Sequence, residues 1–95
     1  MGILVRVFTH PACSGCGEAV QAAWEIHGQL EQKFELRTVT LEQKDGLAEA
    51  HREGIKTIPT VIVTVNGEES ARQVGSAPRD WLLAAIQPHL QGART

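Results

Sequence analysis

The chain has 95 residues, 42% of them hydrophobic and 21% charged, with nine Lys and Arg against eleven Asp and Glu for a formal net charge of -2. A domain of this length removes only about 60–65% of its unfolded surface from water, so one core is expected, with no room for a second domain within these residues. The apolar content excludes a disordered chain. The scattered cations exclude a nucleic-acid face, which needs clustered Lys and Arg to neutralise phosphates.

Residues 3–8, Ile-Leu-Val-Arg-Val-Phe, form an apolar stretch interrupted by Arg6. It is too short for a signal peptide or a membrane-spanning helix, and two cysteines are too few for a secreted disulfide framework. A cytoplasmic protein without membrane association is therefore expected. The stretch reads as a strand covered on both faces, in which Arg6 must reach the sheet edge or meet a carboxylate. Thr9-His10-Pro11-Ala12-Cys13-Ser14-Gly15-Cys16 follows at once. A helix then spans 16–30, with Ala19, Val20, Ala23, Trp24, Ile26, His27 and Leu30 at helical spacing. Gly28, costing about 1 kcal/mol relative to alanine, marks a place where it loosens. Trp24 and, further on, Trp81 lie in helix stripes and are expected in the core.

The segment 34–41 alternates and is β-branched, as a second strand should be. Thr40 and Gln43 suggest a capping box for a helix running through Leu47, Ala48 and His51 to stop near Gly54. Residues 60–65, Thr-Val-Ile-Val-Thr-Val, give the strongest strand. Asn66-Gly67 is the dipeptide preferred by a type I′ hairpin, and the polar return strand 69–74 suits a sheet edge that resists pairing with other chains. After Gly75, Ser76 is placed to cap a third helix with Pro78 in its first turn. Trp81, Leu82, Ala85 and Ile86 form the buried stripe of that helix, Gln87-Pro88 ends it, and 91–95 is a frayed tail.

The order βαβαββα calls for a right-handed parallel crossover first and an antiparallel hairpin last. The fold class is α/β, a single domain over 1–95 with a four-stranded mixed sheet and helices on both faces.

Both cysteines sit where strand gives way to helix. Thiols at i and i+3 of a helix lie about 5–6 Å apart, which suits a disulfide with Cα atoms about 4.4–6.8 Å apart. The same thiols with His10 also make a set for a soft ion such as copper(I), although a closed zinc site needs four ligands. His27, His51 and His89 fall on helical faces and read as solvated or packed.

Cys13-Ser14-Gly15-Cys16 after the first strand, with Gly54-Ile55-Lys56-Thr57-Ile58-Pro59-Thr60-Val61-Ile62-Val63 leading into the third, resembles the thioredoxin-fold family. The likeness covers nearly the whole chain from Ile3 to about Leu90 and is nearest to the short, glutaredoxin-sized members. It implies a dithiol–disulfide oxidoreductase acting on protein disulfides, with Pro59 cis beside the thiols, a geometry open to an X-Pro bond at about 0.5–1 kcal/mol. Cys13, at a helix N-terminus that favours the thiolate, is the expected nucleophile, and Cys16, one turn deeper, the resolving thiol. Thr57 and Ile58 would pair with an extended substrate by strand addition, with Gly75 leaving space, and His10, Ser14 and Gly15 would modulate the thiols. The resemblance implies a redox-active Cys13–Cys16 disulfide without cofactor or metal, a reductase as partner, and a monomer.

The sequence departs from the family in places that bear on substrate. Ala12 stands where thioredoxins usually carry an aromatic residue, and Val7 where they bury an acid. Only Gly75-Ser76 answers the Gly-Gly-Asp of glutaredoxins, with Asp80 further along. Two readings of another kind remain beside the enzyme: a copper or zinc carrier using the same CxxC, and a thioredoxin-fold binding module without turnover.

Overall fold

Alternation along the first strand decides both faces of the sheet. A computed structural model of the chain describes residues 2–13, 15–31, 34–75 and 79–92. The elements are β1 (Ile3–Thr9), α1 (Cys16–Gln29), β2 (Glu35–Thr40), α2 (Lys44–Arg52), β3 (Thr60–Val65), β4 (Glu68–Val74) and α3 (Arg79–Gly92). The strands lie in the order β2-β1-β3-β4, with β1 parallel to β2 and antiparallel to β3, and β4 antiparallel to β3. Ile3, Val5 and Val7 point one way, into a core with Ala19, Ala23 and Ile26 of α1 and Leu82 and Ile86 of α3. Phe8 points the other way, into a smaller cluster of Val39, Ala50, Ile55 and Ile62 beneath α2. Helices therefore cover both faces, as the element order requires.

Arg6 shares the face of Phe8, its guanidinium 5.6 Å from the ring centroid. Its Nη1 donates to Glu49 Oε2 at 2.8 Å and lies 2.9 Å from Glu53 Oε2. The two carboxylates come from adjacent turns of one helix face, the i,i+4 spacing. Burial opposes the charge on Arg6, and its hydrogen bonds to Glu49 and Glu53 together with their negative charge outweigh it, so the guanidinium is held above its ordinary value. Arg37 faces Arg6 across β2, and Arg72 stands opposite Ile62 on β4. Arg37 reaches Glu49 at 3.6 Å, and Arg72 donates to the Glu53 carbonyl at 2.9 Å. A transverse row of three arginines is thus threaded by two acids, Glu49 of α2 and Glu53 at its C-cap. Little else buries on this helix, where Gly46 and Ala50 are the buried residues, so charge rather than apolar area seats it.

The ends of α2 follow from two glycines. Gly54 has φ +72°, its N–H donates to His51 O, and Ile55 N–H donates to Ala50 O. This is the Schellman pattern at the glycine where the sequence places the stop. At the other end, a Cβ on Gly46 would lie 2.0 Å from Thr40 O and 2.9 Å from Thr40 C, so only glycine lets the helix abut the end of β2. The hairpin turn also forms as its dipeptide predicts, with φ 54° at Asn66 and 87° at Gly67.

Several expectations need correction. The Thr40 capping box does not form: Thr40 closes β2, its Oγ1 accepts from Glu42 N–H, and the N-cap is Gln43 without a side-chain bond. Phe34 and Leu41 flank β2 rather than belong to it, and β4 begins one residue early, at Glu68. Gly28 does not interrupt α1, which runs to Gln29 because Leu30 N–H still reaches Ile26 O. Trp24 is 49% exposed, set edge-on to His27, which is edge-on to Phe34. Trp81 is half-buried against the core. Pro88 does not end α3, which continues to Gly92; a proline this near the C-terminus removes one N–H donor, and the final turn closes past it. Gln91 and Gly92 are helical, while residues 93–95 and the cap assigned to Ser76 and Pro78 lie outside the described residues.

Gly46→Ala tests the contact at the start of α2. Intrinsic helix propensity favours alanine by about 1 kcal/mol, whereas the clash with backbone at Thr40 requires α2 to move. The expected outcome is a lower urea midpoint with unchanged m-value, opposite in sign to propensity.

Candidate active site

The thiols are positioned by the ends of three strands. β1 stops at Thr9, whose carbonyl accepts Leu41 N–H at 2.8 Å, fastening it to the exit of β2. From Thr9 the chain turns through His10, Pro11 and Ala12 into Cys13, and α1 starts at Cys16 with Gly15 as N-cap. Cys13 N–H donates to His10 O at 2.9 Å, and Ala12 N–H donates to His10 Nδ1 at 3.0 Å. Cys13 and Cys16 are joined in a disulfide with Cα atoms 5.5 Å apart. Cys16 is only 4% exposed, while Cys13 is half-buried.

β3 brings the second part. The Ile58-Pro59 peptide is cis, Pro59 is buried, and a Cβ on Gly15 would lie 3.9 Å from Pro59 Cδ. Pro59 O accepts Gly75 N–H at 2.8 Å, which places the end of β4 beside the loop. Thr60 Oγ1, buried, donates to Thr57 O and ties the approach to β3. A groove runs between His10, Ala12, Cys13 and Gly15 on one bank and Ile58, Pro59 and Gly75 on the other. A second groove lies behind the motif, lined by Thr9, His10, Cys13, Cys16, Gly17 and Thr40 among others.

The structure thus gathers Cys13, Cys16, His10, Gly15, Ile58, Pro59 and Gly75 in one place. Thr57 is exposed and lines neither groove, and Ser14 lies outside the described residues. The second groove went unnoticed in the sequence, because its hydroxyls, Thr9 and Thr40, end strands that only the parallel pairing brings together. Val7 is buried in the apolar core beneath α1, with no acid in its place. Among the described residues no three His, Cys, Asp or Glu side chains gather as a metal site, and none of the helices is long and apolar enough to cross a membrane. His27 packs against aromatic rings and His89 Nε2 lies 2.9 Å from Ser70 Oγ.

A disulfide that spans one turn at a helix start and lines an open groove can be opened by an incoming thiolate and closed again by its neighbour. That defines the class, a dithiol–disulfide exchange protein on a thioredoxin fold. Known proteins agree. No model of a protein family matches the sequence. A thioredoxin of Griffithsia pacifica is 31% identical over 84 residues, 88% of this chain and 75% of that protein. A thioredoxin of Bacillus subtilis is 26% identical over 89 residues, 94% of this chain and 84% of that one. The structure of thioredoxin 1 from Thermosipho africanus superposes with a TM-score of 0.81 at 15% identity, over 97% of this chain and 99% of that chain. The chain belongs to the thioredoxin family and is a protein disulfide oxidoreductase.

Gly75 has φ +87°, and a Cβ there would meet nothing within 4 Å. Gly75→Ala should therefore cost only the left-handed backbone penalty, about 1–2 kcal/mol, read as a lower urea midpoint. A much larger loss would mean that the space beside Pro59 is filled.

Proposed function

We propose that Cys13 is the attacking thiolate, Cys16 the resolving thiol, and the groove at Ile58, Pro59 and Gly75 the seat of an extended segment of a disulfide-bonded protein. The observation that supports this most is the asymmetry of the pair: Cys13 lines the groove shared with Ile58, Pro59 and Gly75, and Cys16 is buried behind it. In the reduced protein, Cys13 thiolate attacks one substrate sulfur, the substrate disulfide breaks, and the departing substrate thiolate takes up a proton. Cys16 then loses its proton and attacks Cys13 Sγ, which restores the Cys13–Cys16 disulfide and releases the second substrate thiolate, protonated in turn. Two electrons and two protons have moved to the substrate. A reductase carrying its own dithiol returns the pair to the reduced state.

In this reading Ile58 offers its backbone to the substrate strand. Thr57 supports it from one residue away, since its carbonyl is engaged by Thr60 Oγ1. His10 and Gly15 shape the bank opposite, and Ser14 completes the motif. Residues 1–95 act as one unit, a monomer needing no cofactor, in a reducing compartment such as the cytoplasm. Two cysteines used for exchange suit that setting, where a structural disulfide does not persist.

Insulin reduction in dithiothreitol tests the assignment. The wild-type protein should accelerate precipitation of the insulin B chain, Cys13→Ser should abolish the acceleration, and Cys16→Ser should accumulate a mixed disulfide visible on a non-reducing gel. Absence of acceleration by the intact dithiol protein would overturn it.

A further inference from the structure

His10 stands next to the redox pair. Its ring and its carbonyl both serve the turn leading into Cys13: the carbonyl accepts Cys13 N–H, and Nδ1 accepts Ala12 N–H at 3.0 Å. The ring bond spans i to i+2, the same closure that an Asn or Asp side-chain oxygen makes in an Asx-turn. An imidazole nitrogen that accepts a hydrogen bond carries no proton, so the bond belongs to the neutral ring with its hydrogen on Nε2. In the protonated ring both nitrogens are donors, and Nδ1–H would face Ala12 N–H, donor against donor.

His10 also lines both grooves that flank Cys13. Among the described residues lining them none is Asp, Glu, Lys or Arg, and the other titratable groups there are Cys13 and Cys16 themselves. No carboxylate on these walls is available to hold a charged imidazole in place, and the two thiols, which His10 variants share with the wild type, are the only other titrating side chains among the described residues that line them.

We propose that His10 is a positioning residue for Cys13: its neutral ring holds the Pro11-Ala12-Cys13 turn through Ala12 N–H, and protonation of the ring releases that turn and slows exchange. The proposal rests on Cys13 being the attacking thiolate and adds the device that sets its loop. It gives the site a dependence on acidity carried by an acceptor rather than by charge. A purely coulombic role would act in the opposite sense, since an imidazolium favours the thiolate.

His10→Asn keeps an acceptor for Ala12 N–H and cannot titrate, whereas His10→Ala removes the acceptor; neither substitution removes the main-chain carbonyl that accepts Cys13 N–H. Alkylation of Cys13 in the reduced protein by iodoacetamide, followed by mass spectrometry, and the insulin assay would both be run from pH 5 to 8, the interval in which histidines titrate. At pH 7.5, His10→Ala should be slower than His10→Asn by about 2–12-fold, the worth of one hydrogen bond of about 0.5–1.5 kcal/mol. As pH falls, the wild-type rate should drop relative to His10→Asn, while the ratio of His10→Ala to His10→Asn stays flat. A wild-type to His10→Asn ratio that is flat, or that rises toward acid, would overturn the proposal, as would equality of His10→Ala and His10→Asn. Alkylation reads Cys13 without any protein substrate, so a His10 effect on alkylation with no insulin turnover would count against the enzyme assignment alone.

Discussion

The pairing of β1 along both of its edges is the constraint on which the rest depends. It runs beside β2 from Leu4 to Thr9 and beside β3 from Ile3 to Phe8, so the strand has no free edge and its end cannot shift. Everything chemical hangs from that end. Thr9 fixes the exit of β2 through Leu41, and His10 fixes the turn into Cys13. The antiparallel partner β3 delivers Pro59 to the same level, because Phe8 is in register with Thr60.

The two faces of the sheet are held by different physics, and the difference bears on the site. Beneath α1 and α3 the core is aliphatic, and burial of Ile26, Leu82 and Ile86 supplies about 1.5–3 kcal/mol for each side chain. On the other face the row of Arg37, Arg6 and Arg72 with Glu49 and Glu53 seats a helix that has almost no apolar stripe. That helix leads through Gly54 and Ile55 directly to Lys56-Thr57-Ile58-Pro59. Its docking therefore sets the path by which the cis proline enters β3, and an electrostatic lattice away from the thiols helps to place one bank of their groove.

The strands were legible where their residues had one reading. Thr60 to Val65 is β-branched throughout and Asn66-Gly67 admits a single kind of turn, so the hairpin could be placed almost to the residue. Cys13, Cys16 and Pro59 were legible as motif residues whose chemistry narrows their use. Less could be seen where the deciding partner is distant in sequence. Arg6 demanded a sheet edge or a carboxylate, yet nothing local showed that Glu49 and Glu53, more than forty residues along, would meet it. Gly46 carried no local signal of its role, and its reason is the Thr40 carbonyl against which it packs. Trp24 had the spacing of a core residue, and it stands half exposed with its ring edge-on to His27 instead. His10 read as a modulator of the thiols or a soft-ion ligand, whereas its ring is an acceptor in a turn, a role that only geometry reveals.

A redox titration of the Cys13–Cys16 couple against dithiol buffers, followed by alkylation and mass, bears most directly on the account. It predicts one reversible two-electron transition, within the span of about −270 to −120 mV covered by dithiol carriers and thiol oxidants. A couple that resists reduction below about −300 mV, the behaviour of a structural disulfide, would contradict it.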